Sequence, residues 1–248
     1  MTDKPLALIT GAAQGIGLAC AEALIDEGYD VILSDINADG VAAAGKTLGA
    51  PAIVCDMGDL AQVEAMFAQI AADHGPLTAL VNNAGVAMPG DFLSYDIDTF
   101  QRVIDINMRG VFVATQMAAR VMVEHKIAGS IVNMSSINAQ VAIPQIPAYC
   151  ASKGGVMQLT KVAALALAKN NIRVNAVGPG SIDTEMMAGV NANPDAFKTA
   201  MSRTPLGRAG DAREIGDVVA FLCSKKASYI TGETIYVDGG RLGLNYTC

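Results

Sequence analysis

Residues 6–17 read LALITGAAQGIG, and this stretch decides the fold. The apolar run at 6–10 does not alternate with polar residues, which predicts a strand buried on both faces. Glycines at 11, 15 and 17 allow a tight turn, and a helical period starts at Ile16. A turn of this kind can bind a pyrophosphate, because backbone N–H groups and the helix dipole both point at the anion. The spacing G-x-x-x-G-x-G departs from the common fingerprint G-x-G-x-x-G, so the strand–turn–helix context supports the prediction more than the motif does.

Short apolar runs continue to alternate with longer helical segments along the 248 residues. Strands are predicted at 6–10, 30–35, 52–55, 78–82, 130–134, 172–177 and 234–237. Helices are predicted at 16–27, 38–48, 60–74, 97–125, 148–168 and 212–224. Strict β–α alternation predicts an α/β fold, with a parallel sheet and helices on both faces. No linker, repeat or low-complexity tract interrupts it, so residues 1–248 are expected to form a single domain.

The composition and net charge of the chain exclude some classes of binding partner. Hydrophobic residues make up 52% of the chain and charged residues 17%, enough for a large buried core. The net charge of -7 and the absence of Lys/Arg runs argue against nucleic acid and anionic membrane surfaces. The five cysteines show no C-x-x-C spacing and no histidine cluster, so neither a disulfide framework nor a metal site is expected. No signal peptide and no apolar run near the ~18 residues of a membrane span are found, so the expected location is the cytoplasm.

Polar side chains follow several of the predicted strands. Asp35 ends the second strand, where a carboxylate can accept hydrogen bonds from a ribose diol and repel a 2′-phosphate. This predicts NAD in preference to NADP. Asp56 follows the third strand and Asn83 the fourth, at the sheet edge where open α/β sheets bind ligands. A solvated carboxylate at Asp35 and an ordinary turn at Asn83 are the alternatives.

Tyr149 and Lys153 stand four residues apart at the start of the predicted helix 148–168. Residues at i and i+4 share one helix face. A nearby cation lowers the pKa of a phenol from about 10, and such a phenol can exchange a proton with an alcohol or an alkoxide. Taken alone, the same pair also fits an ordinary amphipathic surface.

Together these residues resemble the short-chain dehydrogenase/reductase family over nearly the whole chain. The glycine turn matches the family's cofactor turn, including its spacing, and Tyr149-x-x-x-Lys153 matches its catalytic pair. Ser136, 13 residues before Tyr149, stands where the family keeps its catalytic serine, and Asn107 matches its helix asparagine. Further matches are Asn82-Asn83-Ala84-Gly85, Pro179-Gly180 followed by Ile182 and Thr184, and Val237-Asp238-Gly239-Gly240.

The resemblance implies a Rossmann-type doubly wound sheet of about seven strands and a homotetramer. It implies an NAD(H)-dependent oxidoreductase that interconverts a secondary alcohol and a ketone. Tyr149 would be the general acid/base, and Lys153 would lower its pKa and hold the nicotinamide ribose. Ser136 would hydrogen-bond the substrate oxygen, and Asn107 would anchor a water that links Lys153 to solvent. The predicted cofactor contacts are Gly11, Gln14, Gly15, Ile16, Gly17, Asp35, Ile36, Asp56, Met57, Asn83, Ala84, Gly85, Tyr149, Lys153, Pro179, Gly180, Ile182 and Thr184.

The substrate pocket is expected between residues 136–147 and a lid at about 181–206. The predicted substrate contacts are Ser136, Asn138, Gln145, Tyr149 and Met186. The polar amides favour a small polar substrate such as a sugar, polyol or hydroxy acid, although isoleucines and methionines in the same segments also fit an apolar alcohol. Two alternatives stay open: a 3-oxoacyl thioester reductase acting on a carrier protein, and an NAD-binding module without chemistry.

Overall fold

The computed structural model describes residues 4–187 and 193–243. Within them, seven parallel strands form one sheet in the order β3-β2-β1-β4-β5-β6-β7. The strands are β1 (Leu6–Thr10), β2 (Asp30–Asp35), β3 (Ala52–Val54), β4 (Ala79–Asn82), β5 (Ser130–Met134), β6 (Arg173–Pro179) and β7 (Thr234–Val237). This confirms the predicted α/β fold with its parallel sheet of about seven strands.

Helices connect the strands. The α-helices described are α1 (Gly15–Asp26), α2 (Ala38–Leu48), α3 (Leu60–Asp73), α4 (Ile97–Ile104), α5 (Val111–Glu124), α6 (Pro147–Leu167), α7 (Pro194–Met201) and α8 (Ala212–Cys223). Short 3₁₀ turns lie at Ile137–Ala139, Ala168–Asn170, Glu185–Met187 and Lys225–Ala227. None of the helices in the described ranges is both long and apolar enough to cross a membrane.

The sheet separates two hydrophobic cores because strand side chains alternate between its faces. In β1, Ala7 and Ile9 pack into the core that contains residues of α1 and α8. Leu8, between them, packs into the core that contains residues of α3, α5 and α6. Leu8 and Ile9 are fully buried, and burying a side chain of that size stabilises a fold by about 1.5–3 kcal/mol. The apolar runs without alternation are therefore explained by burial on both faces.

The predicted helix at 97–125 is confirmed over residues 97–124, with one irregularity that the sequence did not predict. A π-helical turn, Asp105–Gly110, separates α4 from α5. At this turn the backbone passes so close to the loop after β3 that a Cβ at Gly110 would overlap the carbonyl oxygen of Met57. The turn also contains Asn107, whose side chain bonds the backbone of Val86. These tertiary contacts outweigh the regular helical pattern, as they often do where π turns form at functional sites.

The strand order reverses direction at β1, which pairs with β2 on one side and with β4 on the other. Strand connections on the two sides of such a point lead away from each other, which leaves a crevice outside the carboxyl ends of the strands. The glycine turn after β1 and the Asn83 loop after β4 both lie at this crevice, where a ligand site is expected.

Candidate active site

The glycine turn has the shape of a phosphate cradle. Gly11 and Gly15 adopt φ angles of +67° and +56°, a left-handed region that favours glycine. A Cβ at Gly17 would overlap the carbonyl oxygen of Gly11. Helix α1 starts with no side-chain cap from Gln14 and no acidic residue in its first turn, so its first N–H groups are left for a ligand. These features fit the pyrophosphate of a dinucleotide.

Asn83 holds the glycine turn in place. Its side-chain Nδ2 donates to the carbonyl oxygens of Thr10 at 3.1 Å and Gly11 at 2.9 Å. The hydroxyl of Thr10 accepts from the backbone N–H groups of Asn83 and Ala84, both at 3.1 Å. The loop after β4 and the turn after β1 are therefore fixed to each other across the crevice.

A cleft of ≈ 360 Å³ runs from the glycine turn towards the ends of β2 and β3. Asp35 lines it, with Oδ2 accepting from the N–H of Ala13 and Oδ1 from the N–H of Asn37, each at 3.0 Å. Asp56 also lines it and forms an ion pair with Arg102, with 2.6 Å between Oδ2 and Nη2. The predicted cofactor contacts in this cleft are Gly11, Gln14, Gly15, Ile16, Asp35, Ile36, Asp56, Met57, Asn83, Ala84, Gly85 and Thr184.

A second cavity of ≈ 110 Å³ adjoins the cleft, and Ile16, Asn83, Gly85 and Thr184 line both. Its walls bring together Ser136, Tyr149 and Lys153, three of the four residues predicted to be catalytic, and it also contains Pro179, Gly180 and Ile182. Gly17 lines neither space and is buried beneath the turn.

Burial governs the protonation of Tyr149 and Lys153. The pKa of the Lys153 ammonium is lowered to about 8, because the side chain is removed from water. Its Nζ donates to the carbonyl oxygen of Met134 at 2.7 Å and lies 5.4 Å from the centre of the Tyr149 ring. Burial raises the pKa of Tyr149, and a hydrogen bond with Ser136 offsets part of that rise. Burial has the largest effect on the Tyr149 pKa in this structure, and the lowering of that pKa by Lys153 stays a prediction.

Ser136 is held by its neighbour Asn138. The Ser136 hydroxyl donates to the side-chain oxygen of Asn138 at 3.2 Å and accepts from the Asn138 N–H at 3.1 Å. Asn138, predicted as a substrate contact, therefore orients Ser136 in this structure. Gln145 is exposed, and its carbonyl oxygen accepts from the N–H of Gly90 at 2.8 Å. The side chain of Met186 lies outside the described residues, whereas Met187 lines the cavity.

Asn107 lies behind the cavity rather than in its wall. It is fully buried. Its Oδ1 accepts from the N–H of Val86, and its Nδ2 donates to the Val86 carbonyl, both at 2.9 Å. A Cβ at Gly85 would lie 3.3 Å from the Asn107 Oδ1 and 3.4 Å from the Lys153 Nζ. Asn107 and Lys153 therefore approach each other across Gly85.

Several lining residues were not predicted. They are Cys55, Val86, Met88, Arg102, Ile106 and Glu185 in the cleft, and Met134, Ser135 and Met187 in the cavity. Arg102 and Ile106 are four residues apart, so one helix face brings both to the cleft. That spacing, directly before Asn107 in the sequence, was the available signal. For Met134 the contact is a backbone carbonyl, which any residue type provides.

The chain is similar to known proteins over most of its length. A family model described as enoyl-(acyl carrier protein) reductase matches residues 11–241. The chain is 39% identical over 242 residues to galactitol 2-dehydrogenase (L-tagatose-forming) from Cereibacter sphaeroides, covering 96% of this chain and 95% of that protein. It is 39% identical over 243 residues to a 3-oxoacyl-acyl-carrier-protein reductase from Thermotoga maritima, covering 96% and 98%.

Solved structures of other dehydrogenases have a similar fold. A gluconate 5-dehydrogenase from Burkholderia cenocepacia, in complex with NADP and tartrate, superposes with a TM-score of 0.93 at 31% identity, covering 98% of this chain and 97% of that one. A 4-hydroxyisoleucine dehydrogenase complexed with NADH also gives 0.93 at 31% identity, covering 98% and 100%. The matched length, the sheet order and the convergence of Ser136, Tyr149 and Lys153 lead to one conclusion. The chain belongs to the short-chain dehydrogenase/reductase family and is an oxidoreductase of secondary alcohols and ketones.

Proposed function

We propose that this protein uses NAD(H) to interconvert a small polar secondary alcohol and its ketone. The observation that supports this most directly is the cavity shared by Ser136, Tyr149 and Lys153, which adjoins the cleft behind the glycine turn. Interconversion of a ketone and an alcohol needs a cofactor ring at the carbonyl carbon and a proton donor at the carbonyl oxygen. Two adjoining spaces, one for a dinucleotide and one for a small molecule, meet that need.

Each residue of the cavity has a separate task. The Tyr149 hydroxyl donates a proton to the carbonyl oxygen during reduction, and the Tyr149 phenolate takes a proton from the alcohol during oxidation. The Ser136 hydroxyl, held by the Asn138 N–H, turns its proton from the Asn138 side-chain oxygen to the substrate oxygen, where negative charge develops. Lys153 holds the nicotinamide ribose and favours the Tyr149 phenolate, and Asn107 anchors the water that leads from Lys153 to solvent. When bound, the nicotinamide supplies or accepts the hydride.

A polar substrate is supported by the Asn138 amide beside Ser136 and by relatives named for galactitol and gluconate. A 3-oxoacyl thioester on a carrier protein is the second candidate, supported by the Thermotoga maritima reductase at 39% identity. The deciding experiment follows NADH formation or consumption spectroscopically with polyols, sugar acids, hydroxy acids and a 3-oxoacyl thioester. Turnover of the thioester alone would replace the first proposal, and cofactor binding without turnover of any compound would favour a non-catalytic module.

Asp35→Ala is expected to reduce the preference for NAD over NADP by about tenfold or more. The carboxylate at the end of β2 accepts hydrogen bonds from a ribose diol and repels a 2′-phosphate, and its loss removes both effects. The ratio of kcat/KM for the two cofactors measures the change. An unaltered ratio would mean that Asp35 serves only the backbone N–H groups of Ala13 and Asn37.

A homotetramer is proposed on the basis of an exposed apolar face on α5 and α6. Large side chains on it are strongly exposed, with Leu165 at 83%, Val162 at 57% and Phe112 at 49% of their full accessible area. A groove of ≈ 460 Å³ runs between the two helices. Light scattering is expected to give the mass of four chains, and Leu165→Glu to give a smaller species. A monomeric wild type would contradict the proposal.

A cytoplasmic location is proposed as well. Cys20, Cys55, Cys150 and Cys223, the cysteines in the described part of the chain, are all free thiols, as is usual in a reducing compartment. Cell fractionation of the native host tests this, and recovery outside the cytoplasmic fraction would contradict it.

A further inference from the structure

The end of the cleft away from the glycine turn contains an ion pair that takes no part in the proposed reaction. We call the part of the cleft formed by Asp35, Ile36, Asp56, Met57 and Arg102 the adenosine end. These residues meet because β2 and β3 are adjacent, with Asp35 paired to Val54. Arg102 is the only basic side chain among the described residues that line the cleft. Two carboxylates and one guanidinium therefore set the charge of this end.

Both side chains of the Asp56–Arg102 ion pair are held by further contacts with the turn after β3. Its Nη2–Oδ2 distance is 2.6 Å, and the side chains of Arg102 and Asp56 are 38% and 19% exposed. The second oxygen of Asp56 accepts from the N–H of Gly58 at 2.8 Å. A Cβ at Gly58 would overlap the Arg102 Nη1, so the guanidinium lies directly against the turn after β3. The pair therefore has a defined geometry rather than being a loose contact of two surface side chains.

The two members of the pair have opposite effects on a phosphate. NADP differs from NAD by a 2′-phosphate, which carries a charge of about -1.5 to -2 near neutral pH. Asp35 and Asp56 repel that charge, and Arg102 attracts it. In the ion pair the charges of Asp56 and Arg102 cancel, which leaves Asp35 as the uncompensated carboxylate of the adenosine end.

We propose that the Asp56–Arg102 ion pair is a second determinant of the choice between NAD and NADP. Arg102 neutralises Asp56, and Asp56 in turn keeps Arg102 from acting as a phosphate-binding cation. The inference rests on the proposed use of NAD. A unit charge at about 10 Å from a 2′-phosphate, in water, changes its binding by about threefold. Removing either partner should therefore shift the preference measurably, and the two removals should shift it in opposite directions.

The test measures dissociation constants of NADH and NADPH by fluorescence titration at low ionic strength. Arg102→Gln leaves an unpaired carboxylate and is expected to weaken NADPH relative to NADH by about threefold or more. Asp56→Asn keeps the shape of the side chain, frees Arg102, and is expected to strengthen NADPH relative to NADH by a similar factor. The double variant restores the net charge and is expected to bring the ratio back towards wild type. Both single shifts should shrink as salt is added.

Two variants serve as controls. Arg102→Lys keeps the cation and is expected to keep the wild-type ratio. Arg109 pairs with Asp105 and donates to the Gly58 carbonyl, but it does not line the cleft. Arg109→Gln removes the same charge farther from the cleft and should shift the ratio less than Arg102→Gln does. Melting temperatures show whether each variant is folded.

The proposal is overturned if Arg102→Gln and Asp56→Asn shift the ratio in the same direction, or if neither shifts it in a folded protein. Its failure can be distinguished from failure of the proposed function. A wild type that prefers NADPH would contradict the proposed cofactor, whereas the signs of the two shifts do not depend on which cofactor the wild type prefers.

Discussion

Tyr149→Phe is expected to lower kcat by about a thousandfold while leaving the dissociation constant of NADH within about twofold of wild type. General acid–base catalysis contributes about 10²–10⁴-fold, and phenylalanine removes the only atom of this side chain that can transfer a proton. The ring remains, so packing in the cavity and the shape of the cleft are preserved. Steady-state kinetics and NADH fluorescence titration measure the two quantities separately.

A second tyrosine provides the control for this substitution. Tyr29 lies at the opposite edge of the sheet, where its hydroxyl donates to the carbonyl oxygen of Cys223 at 2.9 Å. Tyr29→Phe loses one hydrogen bond, worth about 1 kcal/mol of stability, and is expected to keep wild-type kcat. If Tyr149→Phe retained more than about a tenth of wild-type turnover, the proton would have to come from another group, and the acid/base role of Tyr149 would be wrong.

Gly17→Ala is expected to destabilise the fold by about 3 kcal/mol or more and to abolish NADH binding. The added Cβ would overlap the Gly11 carbonyl oxygen, and overpacking against backbone costs about 1–3 kcal/mol or more because the backbone itself must move. Any such movement displaces the glycine turn, including the carbonyls to which Asn83 donates. Urea denaturation and NADH titration measure the two effects.

The same substitution in α6 should have the opposite effect on the free energy of unfolding. Gly154 lies inside α6, and a Cβ there would meet only the Ala139 carbonyl oxygen, at 3.9 Å. Because alanine is the better helix former, Gly154→Ala is expected to stabilise the protein by about 0.5–1 kcal/mol. If both variants had the same effect on stability, the close approach of Gly17 and Gly11 would not be the cause of the loss.

The fold was predictable because burial alone leaves a pattern in the sequence. The apolar runs at β1 and β4 indicate strands covered on both faces, and the glycines at 11 and 17 mark the turn between strand and helix. The Tyr149–Lys153 pair was predictable for a similar reason, since one helical turn places the two side chains on the same face. All of these depend on residues close together in the chain.

What the sequence did not predict depends on distant contacts. The π turn forms where Gly110 meets the Met57 carbonyl, more than fifty residues away in the chain. Arg102 reaches the cleft by pairing with Asp56, 46 residues earlier. In both pairs, the sequence around one residue gives no indication of its distant partner. The protonation of Tyr149 also depends on distant contacts. The spacing of Tyr149 and Lys153 predicted a cation near a phenol, but it could not predict the burial that raises the pKa of the phenol.

The π turn at Asp105–Gly110 has a consequence for assembly. An α-helix rotates by about 100° per residue, so a turn that takes in one extra residue changes the rotational phase of everything after it. Asn107 can therefore face the backbone of Val86 behind the cavity, while Phe112, at the start of α5, is turned out to the proposed subunit face. Deleting one residue from this turn would realign α5 by about a quarter of a revolution. A single irregularity thus sets both the angle of a buried amide and the direction of the apolar face that is proposed to meet another copy.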